Sequence, residues 1–375
     1  MVSCTLFLKI CRMKNKLALY FPVKVFNNSL FNKGDYIEVC FIKNSKNCAY
    51  ITKFNNLITI KKELKRNFRL KYGEVVKVVI TKAICLNRPK KLFYKNRVDI
   101  LSLIPEKTKR DSNIVVTEFS KGDEKWLRVW SCHSRGSCSQ IELRRFISID
   151  LFGRLLGQIQ SEGSKTNFEA LEFCNKSPLE HLDFINYLTY IGINRNAILA
   201  KFDYHPKIKN ISTPIKEFQN TTGISVSYKC CSPTSKGGFG FHSFVRSVLF
   251  SAIILYALNR LRTELVNKRW DSNLKQFANG FLAKILNGDG TIEVITKNRN
   301  IPQARISIAD GNFNYLKDYK VILKKFGFKP HICKNQGKIR SYMNYRLIQK
   351  LCSINAFHNN PNKAKLEFLR LAKTS

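Results

Sequence analysis

Acidic residues are scarce in this chain, which has 26 Asp and Glu against 65 Lys and Arg in 375 residues and a formal net charge of +39. Such an excess of one sign repels itself, so it favours a polyanionic partner, either nucleic acid or an anionic membrane surface. The hydrophobic content of 44%, with 27 Phe and 14 Tyr, excludes a disordered basic tail. The length suits two or three domains, and the composition excludes collagen-like, coiled-coil and small disulfide-scaffold proteins.

Long apolar runs are also missing. The most apolar stretch, Val248 to Leu258, is bracketed by Arg246 and by Arg260 and Arg262. It is shorter than the roughly 20 residues that a membrane-spanning helix needs, so it predicts a buried core helix and no membrane partner. A short apolar patch near the N-terminus is interrupted by Lys9 and lacks a cleavage site, which is untypical of a signal peptide. We therefore expect a cytoplasmic protein with access to genomic DNA.

Paired zinc-type cysteines are absent, since none of the twelve Cys forms a CxxC pair with a second pair at zinc spacing. Cys132, His133 and Cys138 come nearest to a metal-binding group, and they would still need a fourth ligand. Reduced thiols in a loop are the alternative. The sequence leaves open whether these three residues bind a metal.

A short repeat marks the N-terminal region. Residues 19–39 recur thirty-nine residues later, and each copy reads as a strand, a short turn of helix, a turn at Gly34 or Gly73, and an alternating strand. This predicts a small duplicated β-domain over residues 1–82. Residues 17–82 resemble the AbrB-like swapped-hairpin type of DNA-binding domain, with a generic small β-barrel as the alternative. The charged, Pro-containing residues 83–140 predict a basic linker with irregular structure.

A second repeat is more informative. Residues 152–164 superpose on 279–291 with a shift of 127, and both end in an acidic residue followed by Gly, at Glu162 and Asp289. Each copy has a helical apolar pattern that the Gly ends. The elements after each copy predict the order αββαββα twice, in repeats over 141–268 and 269–375, and so a duplicated α+β domain. In the first repeat this includes a long apolar helix from His242 to Leu265.

The repeated helices carry a pattern suited to close packing and to chemistry. Gly153, Gly157 and Ser161 lie four apart, a small-residue stripe that lets two helix backbones approach. If the two helices cross, Glu162 and Asp289 face one another at their C-terminal ends. The carbonyls of Ser161 and Gly288 would then lie nearby. Carboxylate and carbonyl oxygens suit Mg²⁺, and paired metals can activate water and stabilise the leaving oxygen in phosphodiester hydrolysis.

The segments LLGQIQSEG (155–163) and LAKILNGDG (282–290) resemble the nine-residue motif of the LAGLIDADG homing endonucleases, and the resemblance covers residues 141–375. It implies a monomeric enzyme with internal pseudo-twofold symmetry, in which two four-stranded sheets form a saddle on the DNA major groove. The acidic residue at the eighth motif position binds the divalent metal, which maps to Glu162 and Asp289. The second copy departs from the motif at Lys284, where the first has Gly157, and this predicts a looser or asymmetric helix crossing.

The resemblance also implies basic residues around the metals and DNA readout from the strands. Candidates for the basic catalytic role are Lys229, Lys338 and Lys363, with ordinary phosphate contact as the alternative. Strand alternation places one set of polar side chains outward, where Arg can read guanine and Lys meets phosphate. The expected DNA-binding set is Thr291, Glu293, Arg305, Ser307, Lys338, Arg340 and Tyr342.

These observations predict a Mg²⁺-dependent, site-specific homing endonuclease that cuts both strands of a long DNA target. The alternative is a non-catalytic nucleic-acid-binding protein on the same fold, either a transcription regulator or an intron RNA maturase with intron RNA as its partner. Two retained acids favour the enzyme, because a pure binder has no need of clustered carboxylates beside a phosphate backbone. An intein is not expected, since His358-Asn359 is followed by Asn360 rather than by a nucleophile.

Overall fold

The computed structural model describes residues 3–22, 31–43, 46–60, 62–132, 138–165, 167–205, 210–227, 239–295 and 303–372. The chain divides into two compact units. The first comprises Met1–Asn87, Val115–Glu118 and Arg128–Ser131; the second comprises Arg88–Ile114, Phe119–Leu127 and Cys132–Ser375. Within the described ranges, no helix combines the length and the apolar character needed to cross a membrane.

The first unit contains a six-stranded antiparallel sheet. Its elements are β1 (Ser3–Met13), β2 (Lys16–Tyr20), β3 (Tyr36–Lys43), β4 (Lys46–Lys53), β5 (Leu57–Thr59), α1 (Lys62–Asn67) and β6 (Val75–Lys82). The strand order is β4-β3-β6-β1-β2-β5. Side chains alternate along β1, β3 and β6, and one face of these strands is buried with the aromatic rings of Phe21, Phe31 and Phe54.

The predicted short repeat recurs in the geometry of the two turns before β3 and β6. Gly34 has φ +95° and Gly73 has φ +82°, a backbone conformation that L side chains rarely adopt. The next residue in each copy is acidic and accepts a hydrogen bond from the backbone three residues earlier. Asn32 N donates to Asp35 Oδ2 and Lys71 N to Glu74 Oε2, both at 3.0 Å. The helical turn predicted for the first copy lies at residues outside the described ones.

The prediction of irregular structure over residues 83–140 is wrong. The segment and its continuation contain β7 (Phe93–Tyr94), β8 (Arg97–Asp99), β9 (Ile114–Lys121), β10 (Glu124–Cys132), β11 (Cys138–Arg144) and β12 (Phe146–Ser148). Strands β12, β8 and β7 form one sheet in that order. Apolar residues such as Val98, Leu127 and Leu143 are buried. Charged residues are interspersed among them, some of them buried, as are Asp99 and Arg128, and they hide the two-residue alternation from a reading based on composition.

The first repeat of the second unit has an α+β arrangement. It contains α2 (Ile149–Glu162), β13 (Leu171–Asn175), α3 (Pro178–Tyr190), β14 (Leu199–Tyr204), α4 (Ser212–Thr222), β15 (Val226–Ser227), β16 (Phe239–Val245) and α5 (Val248–Asn267). The sheet order is β13-β16-β14-β15. A helix from His242 was a wrong prediction, because His242 lies on β16. Helix α5 begins only at Val248, where Ser247 Oγ accepts a hydrogen bond from Phe250 N at 3.1 Å.

The second repeat agrees closely with the sequence pattern. It contains α6 (Ser272–Asp289), β17 (Gly290–Ile295), β18 (Gln303–Ala309), α7 (Phe313–Phe326), β19 (His331–Cys333), β20 (Lys338–Met343), α8 (Tyr345–Ser353) and α9 (Asn362–Leu371). The sheet order is β17-β18-β20-β19, and its pairs are antiparallel. The sequence pattern predicts a strand over 303–309, a helix over 313–326 and a strand over 338–343, and β18, α7 and β20 have these bounds. The predicted α+β class is therefore confirmed. The predicted order αββαββα is wrong for the first repeat, which has the order αβαβαββα because α3 separates β13 from β14 and α4 separates β14 from β15.

The motif helices α2 and α6 pack backbone against backbone. A Cβ atom added to Gly153 would lie 2.5 Å from Phe277 O, and one on Gly157 would overlap Phe281 O. From the other helix, a Cβ on Gly280 would overlap Asp150 O. The two helix backbones can approach this closely only because these positions carry no side chain. This is the packing that the small-residue stripe predicts.

We expect Gly157→Ala to destabilise the protein by about 2–3 kcal/mol, because the added methyl group must push α2 and α6 apart. Urea unfolding followed by circular dichroism measures the change. The matched control is Gly311→Ala, since a Cβ there would meet nothing within 4 Å. Equal stability of the two variants would contradict the close packing of the motif helices.

Candidate active site and nucleic-acid interface

Each motif helix ends at a glycine that pairs with a strand of its own repeat. Gly163 forms a bridge with Phe173 of β13, and Gly290 opens β17 opposite Ile308. Both glycines have extended backbone, with φ of −89° and −86°, so they are not required for their φ angles. They are required for space: a Cβ on Gly163 would lie 2.6 Å from Ile159 O. The acidic residue before each glycine is thereby fixed at the end of the last helical turn.

The two acidic residues lie beside each other where the helix ends meet. A Cβ on Gly288 would lie 2.6 Å from Ser161 Oγ and 3.1 Å from Glu162 Cγ. Ser161 Oγ itself donates within its own helix, to Gly157 O and Gln158 O at 3.2 Å. Ser161 therefore packs against Gly288, and the residues that follow them, Glu162 and Asp289, lie on adjacent chain segments.

Burial and neighbouring negative charges make the Glu162 and Asp289 carboxyls difficult to ionise. Burial, followed by the charge of Glu180, raises the pKa of Glu162. Burial, followed by the charge of Glu162, raises the pKa of Asp289 to about 7. A divalent cation would relieve both effects, and carboxylate oxygens are the ligands that Mg²⁺ prefers. The residues present therefore fit such a cation, with backbone carbonyls, water or phosphate completing its coordination.

Lys165 is a basic residue at this site that the sequence analysis missed. Its charge lowers the pKa of both Glu162 and Asp289, and its Nζ lies 5.3 Å from the ring centre of Tyr315. It follows the first motif in a segment without periodicity, so no pattern pointed to it.

The three predicted basic catalytic residues have different outcomes. Lys338 lies on β20, where its charge acts on Glu293 and helps to lower the pKa of that carboxyl. Lys363 lies on α9, and its backbone N donates to Asn360 O at 2.9 Å. Lys229 lies outside the described residues. In the part of the chain that the structure describes, the charged groups that shift the pKa values of Glu162 and Asp289 include Lys165 and neither Lys338 nor Lys363.

A buried carboxylate behind the site ties the motif helices together. Glu180, on α3, is 6% exposed. Its Oε2 accepts from Gln158 Nε2 and Lys284 Nζ, both at 3.0 Å, and its Oε1 from Asn287 Nδ2 at 2.5 Å and Asn359 Nδ2 at 2.6 Å. These donors come from α2, from α6 and from the segment before α9. Since Asn287 lies two residues before Asp289, this network fixes the last turn that carries the acid.

Lys284 occupies the position in α6 that corresponds to Gly157 in α2, but its side chain points to α3 rather than into the interface of the two motif helices. It is 4% exposed, and its Nζ also pairs with Asp183 of α3 at 2.6 Å. The crossing is therefore asymmetric at this level: Gly157 packs on the backbone of α6, whereas Lys284 reaches α3. The lysine is neutralised inside the protein and is not available to phosphate.

The predicted DNA-binding residues form two rows across the sheet β17-β18-β20-β19 of the second repeat, which we call the second sheet. Glu293, Arg305 and Tyr342 lie opposite one another in one row, and Thr291, Ser307 and Arg340 in the next. Lys338 follows on β20, opposite Ala309. All seven thus share one face, as strand alternation predicts.

Two of these side chains are not freely available to a ligand: Arg305 is ion-paired and Ser307 is buried. Arg305 Nε donates to Glu293 Oε2 at 2.9 Å, so these two charges neutralise each other in the DNA-free protein. Ser307 is only 4% exposed, because it lies on a central strand between Thr291 and Arg340. Of the seven predicted residues, Tyr342, at 55% exposed, and Thr291 are the exposed ones.

The sheet β13-β16-β14-β15 of the first repeat, which we call the first sheet, carries a histidine cluster on the corresponding face. The sequence did not predict this cluster. His242 Nδ1 lies 2.8 Å from Glu172 Oε1, and His242 Nε2 lies 2.9 Å from Asp203 Oδ2. Cys174 Sγ is 3.6 Å from the same Nε2, and Lys201 Nζ lies 3.4 Å from Glu172 Oε1. With the imidazole protonated, two acids balance two cations here, whereas the second sheet has an excess of positive charge.

The histidine cluster makes stability depend on pH. Burial disfavours the charged ring, but the hydrogen bonds with Cys174 and Glu172 outweigh it and raise the pKa of His242 to about 9. The bond with His242 lowers the pKa of Glu172 to about 2. The raised pKa of His242 stabilises the fold fully below about 6.5, and this contribution is lost as pH rises through 9. The lowered pKa of Glu172 stabilises above about 4.5, and its contribution is lost as pH falls through 2.

We expect His242→Gln to lower the free energy of unfolding by about 2 kcal/mol at pH 6 and by much less at pH 10. Urea unfolding at the two pH values measures the difference. His331→Gln is the control, because His331 is exposed on β19. A cost of His242→Gln that does not change with pH would contradict a protonated imidazole between the two carboxylates.

The predicted Cys132, His133 and Cys138 group cannot be placed, because His133 and both cysteine side chains lie outside what the structure describes. Among the described residues, no group of three or more His, Cys, Asp and Glu side chains is arranged to hold a metal ion. Glu162 and Asp289 supply two carboxylates, so any metal they bind takes its other ligands from elsewhere.

Comparison with known protein families agrees with the second motif. Residues 276–360 match the model of the LAGLIDADG-like domain, a span that includes Lys284, Asp289 and the whole of the second sheet. No curated protein sequence matches the chain. The match shows a LAGLIDADG-like domain over that span of the chain.

Proposed function

We propose that this protein is a monomeric, two-motif LAGLIDADG homing endonuclease that hydrolyses both strands of a long double-stranded DNA site in a Mg²⁺-dependent reaction. The observation that carries the proposal is an acidic residue at the end of each of two helices that pack backbone to backbone. A helix pair with a purely structural role gains nothing from two half-buried carboxyls at this point, since burial raises the pKa of both and the charge of Glu162 raises that of Asp289 further.

In this proposal Glu162 and Asp289 would hold the divalent cation, together with the backbone carbonyls of Ser161 and Gly288. The cation, when bound, supplies Lewis-acid activation of water and charge stabilisation at the leaving oxygen. Lys165 is placed to neutralise the phosphate that approaches the two acids. The Glu180 network holds the two helix ends at a fixed spacing while the substrate binds.

DNA recognition falls to the two sheet faces, which would form a pseudo-symmetric saddle on the major groove. On the second sheet, Arg305, Arg340 and Lys338 supply positive charge, while Thr291, Glu293, Ser307 and Tyr342 supply polar contacts. The Arg305–Glu293 pair would open on binding, so that Arg305 can donate to guanine. On the first sheet, Glu172 and Asp203 would accept hydrogen bonds from the amino groups of cytosine or adenine. The first unit, whose sequence resembles an AbrB-like domain, would add further contacts to the same DNA.

Cleavage of a large randomised duplex library, with Mg²⁺ and with EDTA, tests the proposal when the ends produced are sequenced. If the protein is the proposed enzyme, we expect one long, roughly pseudo-symmetric site that is cut on both strands only with metal. Specific binding without cuts under any divalent metal would instead favour a maturase or a transcription regulator. Binding to the selected site should weaken steeply with salt, because many phosphates are neutralised.

A further inference from the structure

One sheet face of the first unit exposes aromatic and basic side chains. Phe7, in the middle of β1, is 71% exposed and lies directly opposite Lys77 of β6. The next pair on the same face is Lys9 with Val75, and Val75 is 59% exposed. Large apolar side chains on a central strand are normally covered, so this face, which we call the Phe7 face, indicates a contact with something outside the unit.

Described residues of the unit cover one end of the Phe7 face. At that end Glu38 of β3 pairs with Arg128, and the Tyr36 ring lies 5.4 Å from the ring of Trp130. The strand segment Arg128–Ser131 thus closes the end that lies away from Phe7. The open end is the one at which β6 begins.

Further exposed aromatic and basic residues surround the open end. Tyr72 is 69% exposed, and it adjoins the β1–β6 ladder because the next residue, Gly73, donates its N–H to Ile10 O at 2.9 Å. Arg69 and Lys71, just before and beside it, are exposed as well. Residues 1–87 contain 17 Lys and Arg against four Asp and Glu. A second copy of the same face would therefore be repelled, and the charge fits a polyanion.

We infer that the Phe7 face binds single-stranded DNA. Bases stack on the Phe7 and Tyr72 rings, while Lys9, Lys77 and Arg69 lie beside the backbone phosphates. Paired bases in a duplex already stack on one another and leave no free face for a protruding ring, so a single strand fits better than a double helix. The choice of DNA over RNA rests on the proposed function, and the stacking itself does not depend on it.

Binding of the full-length protein to a fluorescent oligothymidylate of about 20 nucleotides tests this inference. We expect Phe7→Leu to weaken binding about tenfold, and Phe7→Leu with Tyr72→Leu to weaken it further, because Leu keeps the apolar volume and loses the ring. Phe7→Trp should retain wild-type affinity. Phe313→Leu is the matched control, since Phe313 is 40% exposed with Lys317 Nζ 5.0 Å from its ring centre, on a helix of the second unit.

Several results would overturn the inference. Wild-type affinity of Phe7→Leu would remove Phe7 from the interface, and loss of binding in Phe313→Leu would show that the effect is not specific. Tighter binding to oligouridylate would assign the face to RNA, and loss of binding to anionic vesicles in Phe7→Leu, with DNA binding unchanged, would assign it to a lipid surface. A smaller sedimentation coefficient for Phe7→Leu would assign it to a second copy. Duplex cleavage, measured in parallel, depends on Glu162 and Asp289, so failure of the proposed function would be seen separately.

Discussion

If the proposed function holds, we expect Glu162→Gln and Asp289→Asn each to reduce double-strand cleavage by on the order of a thousandfold or more, while specific DNA binding stays near the wild-type level. The amide replacements keep shape and hydrogen bonding but remove the negative charge that a divalent cation needs. Cleavage of a labelled duplex and a gel-shift assay on the same site measure the two effects. If either variant cut at the wild-type rate, the assignment of that carboxylate would be wrong.

The same substitutions stabilise the protein in the absence of metal. Because burial and Glu162 raise the pKa of Asp289 to about 7, the folded protein resists ionisation of this group as pH rises from about 4 through 7. At pH 8 in EDTA the repulsion is at its greatest, and Asp289→Asn removes it. We expect a gain of about 1–2 kcal/mol in the free energy of unfolding.

Glu293→Gln is the matched control for this gain in stability. Glu293 pairs with Arg305, which lowers the pKa of its carboxyl, so its amide variant should gain nothing. Added Mg²⁺ should raise the melting temperature of the wild type and leave that of the Glu162→Gln, Asp289→Asn double variant unchanged. A destabilised Asp289→Asn variant in EDTA would show that the two carboxyls are not in repulsive contact.

Lys284→Gly, which brings the second motif into line with the first, destabilises the protein by about 3–5 kcal/mol. The lysine is the buried counter-ion of Glu180 and Asp183, with Nζ at 3.0 and 2.6 Å from them. Its removal leaves uncompensated carboxylates inside the protein, in addition to a cavity. Glu180→Ala has a cost of the same size, since it leaves Lys284, Asn287 and Asn359 without their shared acceptor.

Urea unfolding measures both costs, and Lys320→Ala, at an exposed position on α7, serves as the control. The double variant Glu180→Gln with Lys284→Met should lose clearly less free energy of unfolding than Glu180→Gln and Lys284→Met lose separately when their losses are added. The reason is that neutral residues of similar volume replace the ion pair. A Lys284→Gly variant as stable as the wild type would contradict the role of Lys284 in this network.

The motif repeat could be predicted because each copy carries its own local signal. Helical periodicity and the final Gly are properties of neighbouring residues, so the ends of α2 and α6 and the pairing of Glu162 with Asp289 followed from the sequence. The bounds of β18, α7 and β20 followed for the same reason.

The supporting contacts could not be predicted in this way. Glu180 and Lys284 are 104 residues apart, and a Lys in the motif indicates only a departure from Gly until its partner is known. His242 was misassigned because the aromatic strand β16 leads into the apolar helix α5 with only two residues between them, so the two read as one apolar run. Lys165 carries no periodicity. Such side chains are positioned by the tertiary fold rather than by local pattern.

Strand-resolved cleavage of the selected duplex tests the central claim most directly. Both strands carry a label, and the wild type is compared with Glu162→Gln in Mg²⁺ and in EDTA. We expect the wild type to cut both strands in Mg²⁺ and neither in EDTA, and we expect Glu162→Gln to make no double-strand break although it binds the same site. Cleavage of both strands in EDTA, or double-strand breaks by Glu162→Gln at the wild-type rate, would contradict the claim that the paired carboxylates form the catalytic centre.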